Sequence, residues 1–185
     1  SGRSDGARSR SDGPDAVQTH GQNTENAPVE ETEINYPVRI TRYELVEDSE
    51  GPGRSRGGLG LRRDYHFPES EASFSILSDR DRWGPRGIFG GEDAPPARYI
   101  LNPDGEARAL GSKETVQLKP GDTVSFRTCG GGGYGPPAER EPAQVLWDVL
   151  NGKISAARAR EVYRVAVDME RRQVDEEETR RLRGE

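Results

Sequence analysis

His20, Asn23, Thr24, Asn26 and Glu30 crowd into one polar stretch, THGQNTENAPVEE, with Asp12 a short way upstream. Imidazole, amide, hydroxyl and carboxylate groups at this density can offer donors and acceptors to a small polar ligand, as the wall of a site would. The same short side chains also make turns and caps by bonding their own backbone, a reading that covers Asn23, Thr24 and Glu30 equally. A second group is cationic. Arg54 and Arg56, in GPGRSRGGLG, with Arg62 and Arg63 just beyond, could receive an anion, although arginines beside Glu44, Glu47 and Asp48 more often form a surface ion-pair face. A third is backbone: Gly131 and Gly132, in CGGGGYG, could turn N–H groups toward an anion or a partner's backbone. That run lacks the Lys-Ser/Thr ending of a phosphate-binding loop, so a connector between sheet and helices is its plainer reading. Cys129 has only His20 and His66 as possible bases. Neither histidine has a spacing to carboxylates that suggests a metal cage, so no metal ligand is assigned.

The elements that must position these groups are mostly strands. Residues 36–47 alternate, with Val38 and Ile40 opposed to Arg39 and Thr41, and Pro37 suits a strand start. A turn at Asp48–Gly53 and a restart over Arg54–Phe67 complete a hairpin-like pair. Further strands are predicted at Ala72–Leu77, Tyr99–Leu101, Thr115–Leu118 and Thr123–Thr128, the last two as a strand-turn-strand unit around KPGD. Trp83 and Phe89 would plug the Gly/Pro-rich loop between them onto the sheet. A short helix is predicted at Val29–Glu33. C-terminal helices follow: one opened by Pro142 and stopped at Asn151-Gly152, one capped by Ser155 with Ala156, Ala159 and Val162 inward, and one capped by Asp175. The fold class is mixed α+β, a mostly antiparallel β body with Gly/Pro-rich loops and two to three short C-terminal helices. Its divisions are a polar site-lining loop and short helix over 1–35, a β-rich body over 36–135 and helices over 136–185. Residues 1–16 read either as a disordered arm or as a loop of something larger.

Composition narrows the function. Hydrophobic residues are 30% and charged ones 32% of 185, which makes a thin core, while 23 glycines and 13 prolines demand many turns. A net charge of −6 argues against a nucleic-acid partner. There is no apolar run of bilayer-spanning length, and the single cysteine forms no internal disulfide, so the default is a cytoplasmic protein without a membrane partner.

The order of motifs then resembles a known family. Gly6-Ala7-Arg8, Asp12-Gly13, Thr19-His20, Asn23-Thr24-Glu25-Asn26-Ala27-Pro28-Val29-Glu30, Tyr36-Pro37-Val38-Arg39 and Arg56-Gly57-Gly58-Leu59-Gly60 are similar to the hydantoinase B/oxoprolinase family, as are Lys119-Pro120-Gly121-Asp122 and Gly130–Gly135. The resemblance covers almost the whole chain and looks like the C-terminal third of such proteins. Gln22 and Ala27 stand where small hydroxyl residues are usual, and Arg164 where glycine is common.

The resemblance implies one half of an ATP-dependent cyclic amide hydrolase that opens a hydantoin, 5-oxoproline or lactam ring. The alternative it implies is a structural portion of a related ketone carboxylase. It further implies a hydantoinase A-type partner that holds ATP, and a divalent metal held in the N-terminal part of the B-type polypeptide, both mainly outside this chain. This fragment alone would be inactive. Asp12, His20, Asn23, Thr24, Asn26 and Glu30 would line the substrate site.

Overall fold

The computed structural model of the protein describes residues 5–17 and 26–184. Helix α1 (Val29–Asn35) leads into strands β1 (Arg39–Leu45) and β2 (Leu61–His66), which pair antiparallel as the alternation predicts. Strands β3 (Ala72–Leu77), β4 (Arg98–Leu101), β5 (Arg108–Leu110), β6 (Lys113–Leu118) and β7 (Thr123–Arg127) follow. A five-stranded sheet runs β1-β2-β7-β4-β5, with β3 and β6 paired separately. The mixed α+β class with mainly antiparallel pairing holds.

Three local expectations do not. The KPGD turn does not make a hairpin: β6 pairs with β3, while β7 pairs with β2 and β4. The alternating apolar residues still face one core, because Val116, Leu118 and Val124 are buried together with Phe67, Ile76 and Tyr99. Phe126 packs edge-on against Tyr65, Phe74 and Tyr99, with ring centroids 5.8, 5.4 and 5.2 Å away. Second, β2 starts only at Leu61, and residues 54–60 form an irregular, largely buried loop. Third, Trp83 and Phe89 are 78% and 76% exposed and plug nothing. Their loop closes through backbone instead: the Ala94 N–H donates to Pro85 O (2.9 Å), and the Ala97 N–H to Arg80 O (2.8 Å).

The glycine run is no loose connector either, since Gly130–Gly133 are all buried. A Cβ on Gly57 would stand 1.8 Å from Gly131 O, and one on Gly131 would stand 1.9 Å from Asp5 O. These loops lie backbone against backbone at distances only glycine permits. The N-terminal arm belongs to the same stack. The Ala7 N–H donates to Gly132 O (2.9 Å), the Gly13 N–H to Arg56 O (2.8 Å) and the Gly58 N–H to Asp5 O (3.0 Å).

The C-terminal part holds helices α2 (Pro142–Leu150), α3 (Ala156–Glu161) and α4 (Glu176–Arg183), with an unforeseen hairpin of β8 (Ala166–Asp168) and β9 (Gln173–Asp175) between the last two. Pro142 opens α2, Ser155 Oγ accepts from the Arg158 N–H (3.1 Å), and Asp175 Oδ1 accepts from the Glu178 N–H (3.0 Å). Val145, Val149, Ile154, Ala159, Tyr163 and Val165 form this part's core, whereas Ala156 is exposed. Arg164 adopts φ +57°, a left-handed turn that explains why glycine suits the position after Tyr163.

Candidate functional site

The structure sorts the candidate residues into two places. The first is a buried seam of charge. Asp12 accepts from both terminal nitrogens of Arg140 at 2.7 Å and from the Arg56 backbone N–H at 2.9 Å. Arg56 donates through Nε to Asp148 and through Nη1 to Asp15, each at 3.0 Å. Arg140 also reaches Asp148 (2.8 Å), and Lys153 reaches Asp15 (2.7 Å). Three carboxylates thus meet three cations, and Arg56, Arg140 and Asp148 are at most 3% exposed.

Burial raises the pKa of Asp12, but the Arg140 hydrogen bonds and the charges of Arg140 and Arg56 outweigh it and hold the group below the usual carboxylate range. Asp15 ends below that range too, because Lys153, the Leu59 N–H and Arg56 overcome its burial. Beside the seam, Glu50 is wholly buried, accepting from Arg158 Nε (2.6 Å) and Tyr163 Oη (3.1 Å). Its desolvation is the stronger effect, and its pKa is raised. Arg56 is therefore no surface ion pair; among the charged groups near the loop, half-exposed Arg54 fits that description, pairing with Glu139 at 3.3 Å. Every acidic group of the seam is committed to a cation; the Arg140 Nε and, beside the seam, Glu50 Oε2 are buried without a hydrogen-bond partner among the described residues, but they lie between paired charges that hold loops together.

The glycine loop is committed as well. The Gly131 N–H donates to Gly58 O (2.8 Å), the Gly133 N–H donates to Glu92 O (3.0 Å), and Gly132 O accepts from Ala7. A phosphate would find those groups taken. Nor is there a group of three His, Cys, Asp or Glu able to hold a metal among the described residues; His66 Nδ1 lies 3.0 Å from Thr123 Oγ1. The described residues thus do not fit ATP or a divalent ion.

The second place is open. Asn26 lies beside Tyr43, Arg63, Tyr65, Phe126 and Thr128 around a cleft of about 110 Å³. Asn26 Nδ2 donates to Tyr43 Oη (3.0 Å), and Arg63 donates to Ala27 O (3.3 Å), so the polar loop is tied at its C-terminal end to the strands of the cleft. The Arg63 guanidinium lies 5.0 and 5.3 Å from the Tyr43 and Tyr65 ring centroids. Its Nε is buried and has no hydrogen-bond partner among the described residues. A buried donor without an acceptor, between aromatic walls, suits the carbonyl oxygen of a small flat ring. The cleft is well below the size of a nucleotide pocket.

Of the site residues predicted from sequence, Asn26 reaches this cleft and Asp12 belongs to the seam. Glu30 is exposed on α1, where Glu33 instead accepts from the Ile40 N–H (2.7 Å). His20, Asn23 and Thr24 lie outside the described residues. Sequence reasoning passed over Asp15, Glu50, Arg140 and Asp148, most of whose partners are distant in the chain, and offered Arg63 as a possible anion contact without the tyrosines that surround it.

Comparison with known proteins agrees on one lineage. The family model described as Hydantoinase B/oxoprolinase matches residues 2–137. An uncharacterised protein of Methanocaldococcus jannaschii is 41% identical over 161 residues, 86% of this chain and 28% of that protein. A protein of Pseudomonas sp. (strain NS671) that carries the name of a D-/L-hydantoinase's B-type component is 38% identical over 181 residues, 96% of this chain and 30% of its own length. The crystal structure of ATP-dependent caprolactamase from Pseudomonas jessenii matches with a TM-score of 0.82 at 29% identity, over 99% of this chain and 33% of that one. The chain thus spans about a third or less of these relatives.

Proposed function

Because this chain belongs to the hydantoinase B/oxoprolinase family, we propose that it forms the C-terminal part of a B-type polypeptide in an ATP-dependent enzyme that opens a small cyclic amide. A hydantoinase A-type partner would hold ATP and a divalent metal would sit in the remaining B-type polypeptide. The observation that carries this reading is the tether of Asn26 and Ala27 to Tyr43 and Arg63 at the mouth of the cleft. It puts Asn26 beside a buried donor that has no partner among the described residues.

In this reading the chain's own residues bind and orient. The Tyr43 and Tyr65 rings and Phe126 bound the face of the ring substrate. The Arg63 Nε–H donates to its carbonyl, and Asn26, with His20, Asn23 and Thr24 of the same polar stretch and Glu30 at the start of α1, supplies further donors and acceptors. Activation of the amide by phosphorylation falls to the ATP-holding partner. Asp12, Arg54, Arg56, Gly131 and Gly132 act at one remove, by holding the loop.

The test is reconstitution. This chain, joined with the rest of a B-type polypeptide and an A-type partner, should open hydantoin, 5-oxoproline or caprolactam with ATP consumption. Asn23→Ala and Glu30→Ala should each slow that restored rate. Unchanged rates in both variants would remove the loop from the site.

A further inference from the structure

The outer face of the five-stranded sheet carries a row of charge unlike either place described above. Glu44, Arg62, Arg127 and Arg98 stand directly opposite one another across β1, β2, β7 and β4. Directly opposed residues share a face, with neighbouring strands about 4.8 Å apart. Two residues along, and so on the same face, lie Arg42, Asp64 and Ser125.

The carboxylates there are already taken. Arg62 holds Asp64 through Nε and Nη2 (3.0 and 2.6 Å) and lies 3.6 Å from Glu44, while Arg42 holds Asp104 at 3.3 Å. Arg98 and Arg127 have no anionic partner among the described residues, although they face each other. Arg127 Nε is buried and unsatisfied, as is the Oγ of fully buried Ser125. Burial and then the charge of Arg62, only partly offset by Asp64, hold the Arg127 guanidinium below its usual value, with Arg42 and Arg98 adding to the effect. Like charges placed opposite on a sheet destabilise it.

We infer that Arg98 and Arg127 form a docking point for a carboxylate side chain on an acidic segment of the polypeptide that completes the enzyme. The guanidinium fork matches a carboxylate with two parallel bonds, and the surplus positive charge is what such a segment would neutralise. Glu44, Asp64 and Asp104 break the row, leaving one arginine pair that suits a single carboxylate and offers the continuous phosphates of a nucleic acid no run of cations. Exposed Arg98 gives a small free anion no enclosure, whereas a carboxylate delivered on a docked segment arrives at high local concentration. The source of the segment rests on the proposed function; the site's chemistry does not.

The test is a titration of the chain, with its arginine Nε–H groups labelled with ¹⁵N, against acetylated tetraglutamate amide. The Arg98 and Arg127 signals should shift and saturate, and Arg127→Gln should weaken binding about tenfold. Arg98→Gln, at an exposed position, should weaken it similarly without risk to folding. Without peptide, Arg127→Gln should raise the melting temperature by about 2–4 °C by relieving repulsion, which a residue needed for packing would not do. Inert peptide, saturation by inorganic phosphate alone, or preference for a short single-stranded RNA would each overturn the inference. No ATP or partner is present in this titration, so its failure is distinct from a failure of ring opening.

Discussion

The charged seam and the Asn26 cleft are built from similar groups and end in opposite conditions. Both combine arginine with polar side chains from distant loops. In the seam, Arg56 and Arg140 pair with Asp12, Asp15 and Asp148, both guanidiniums and Asp148 being buried while Asp12 stays partly exposed, and only the Arg140 Nε is left over. In the cleft, Arg63 is held by ring faces and one carbonyl, and its Nε is left over. Charge paired with charge marks a scaffold; a guanidinium at an open cleft with no carboxylate among the described residues marks a place where something binds. The two are joined in sequence, because the same polar segment supplies Asp12 to the seam and Asn26 to the cleft.

Mutation should separate them by stability first. Asp148→Ala strips one partner from both buried arginines and should cost about 3–5 kcal/mol in urea unfolding, since uncompensated buried charge is the expensive state. A loss below about 1 kcal/mol would mean that water reaches the seam and that its contrast with the cleft is unfounded. Gly57→Ala comes next, at about 1–3 kcal/mol, because its Cβ must displace the Gly131 backbone.

Acidity should divide the seam itself. Asp12 and Asp15 have depressed pKa values, so their contribution is present above the ordinary value of 3.8 and is lost as pH falls through their folded values. Glu50 has the reverse sign: its contribution is full below 4.5 and declines as pH rises through its higher folded value. Urea midpoints should therefore fall toward acid in the wild type and also soften above about pH 4.5. Glu50→Gln should abolish the second slope and keep the first, whatever it does to overall stability.

The strands and caps were legible because their causes are local: alternation set β1 and β3, and Ser155 and Asp175 cap as their types predict. The KPGD turn misled because its flanking strands look like a hairpin's, yet each finds a better neighbour far away in the chain. The glycine run misled similarly. Glycine permits looseness and close packing alike, and only the arrival of Asp5, Ser49 and Arg86 backbone against Gly130–Gly132 decides between them. The seam was illegible for a stronger reason: Arg140 meets Asp12 across 128 residues, and neither carries a local pattern. Asn26 was legible as a polar loop residue. Its cleft was not, because Arg63 owes its role to two tyrosines on neighbouring strand positions and to the absence of an acid partner among the described residues.

The smallest effect on folding should coincide with the largest on binding. Asn26 is exposed, with one side-chain bond to Tyr43, so Asn26→Ala should move the urea midpoint by less than about 0.5 kcal/mol. In the reconstituted enzyme it should nevertheless raise KM for the cyclic amide about tenfold, by freeing the loop end and removing an amide from the cleft wall. Asn26→Asp keeps the size and lets the Tyr43 hydroxyl donate to the new carboxylate, so it should recover part of the loss if the tether is what matters. Tyr43→Phe, which removes the acceptor and keeps the ring beside Arg63, should resemble Asn26→Ala if the tether is what matters. Should Tyr43→Phe instead leave KM unchanged while Asn26→Ala raises it, Asn26 would be meeting the substrate directly, and the cleft would be a binding surface in its own right rather than an anchor for the loop.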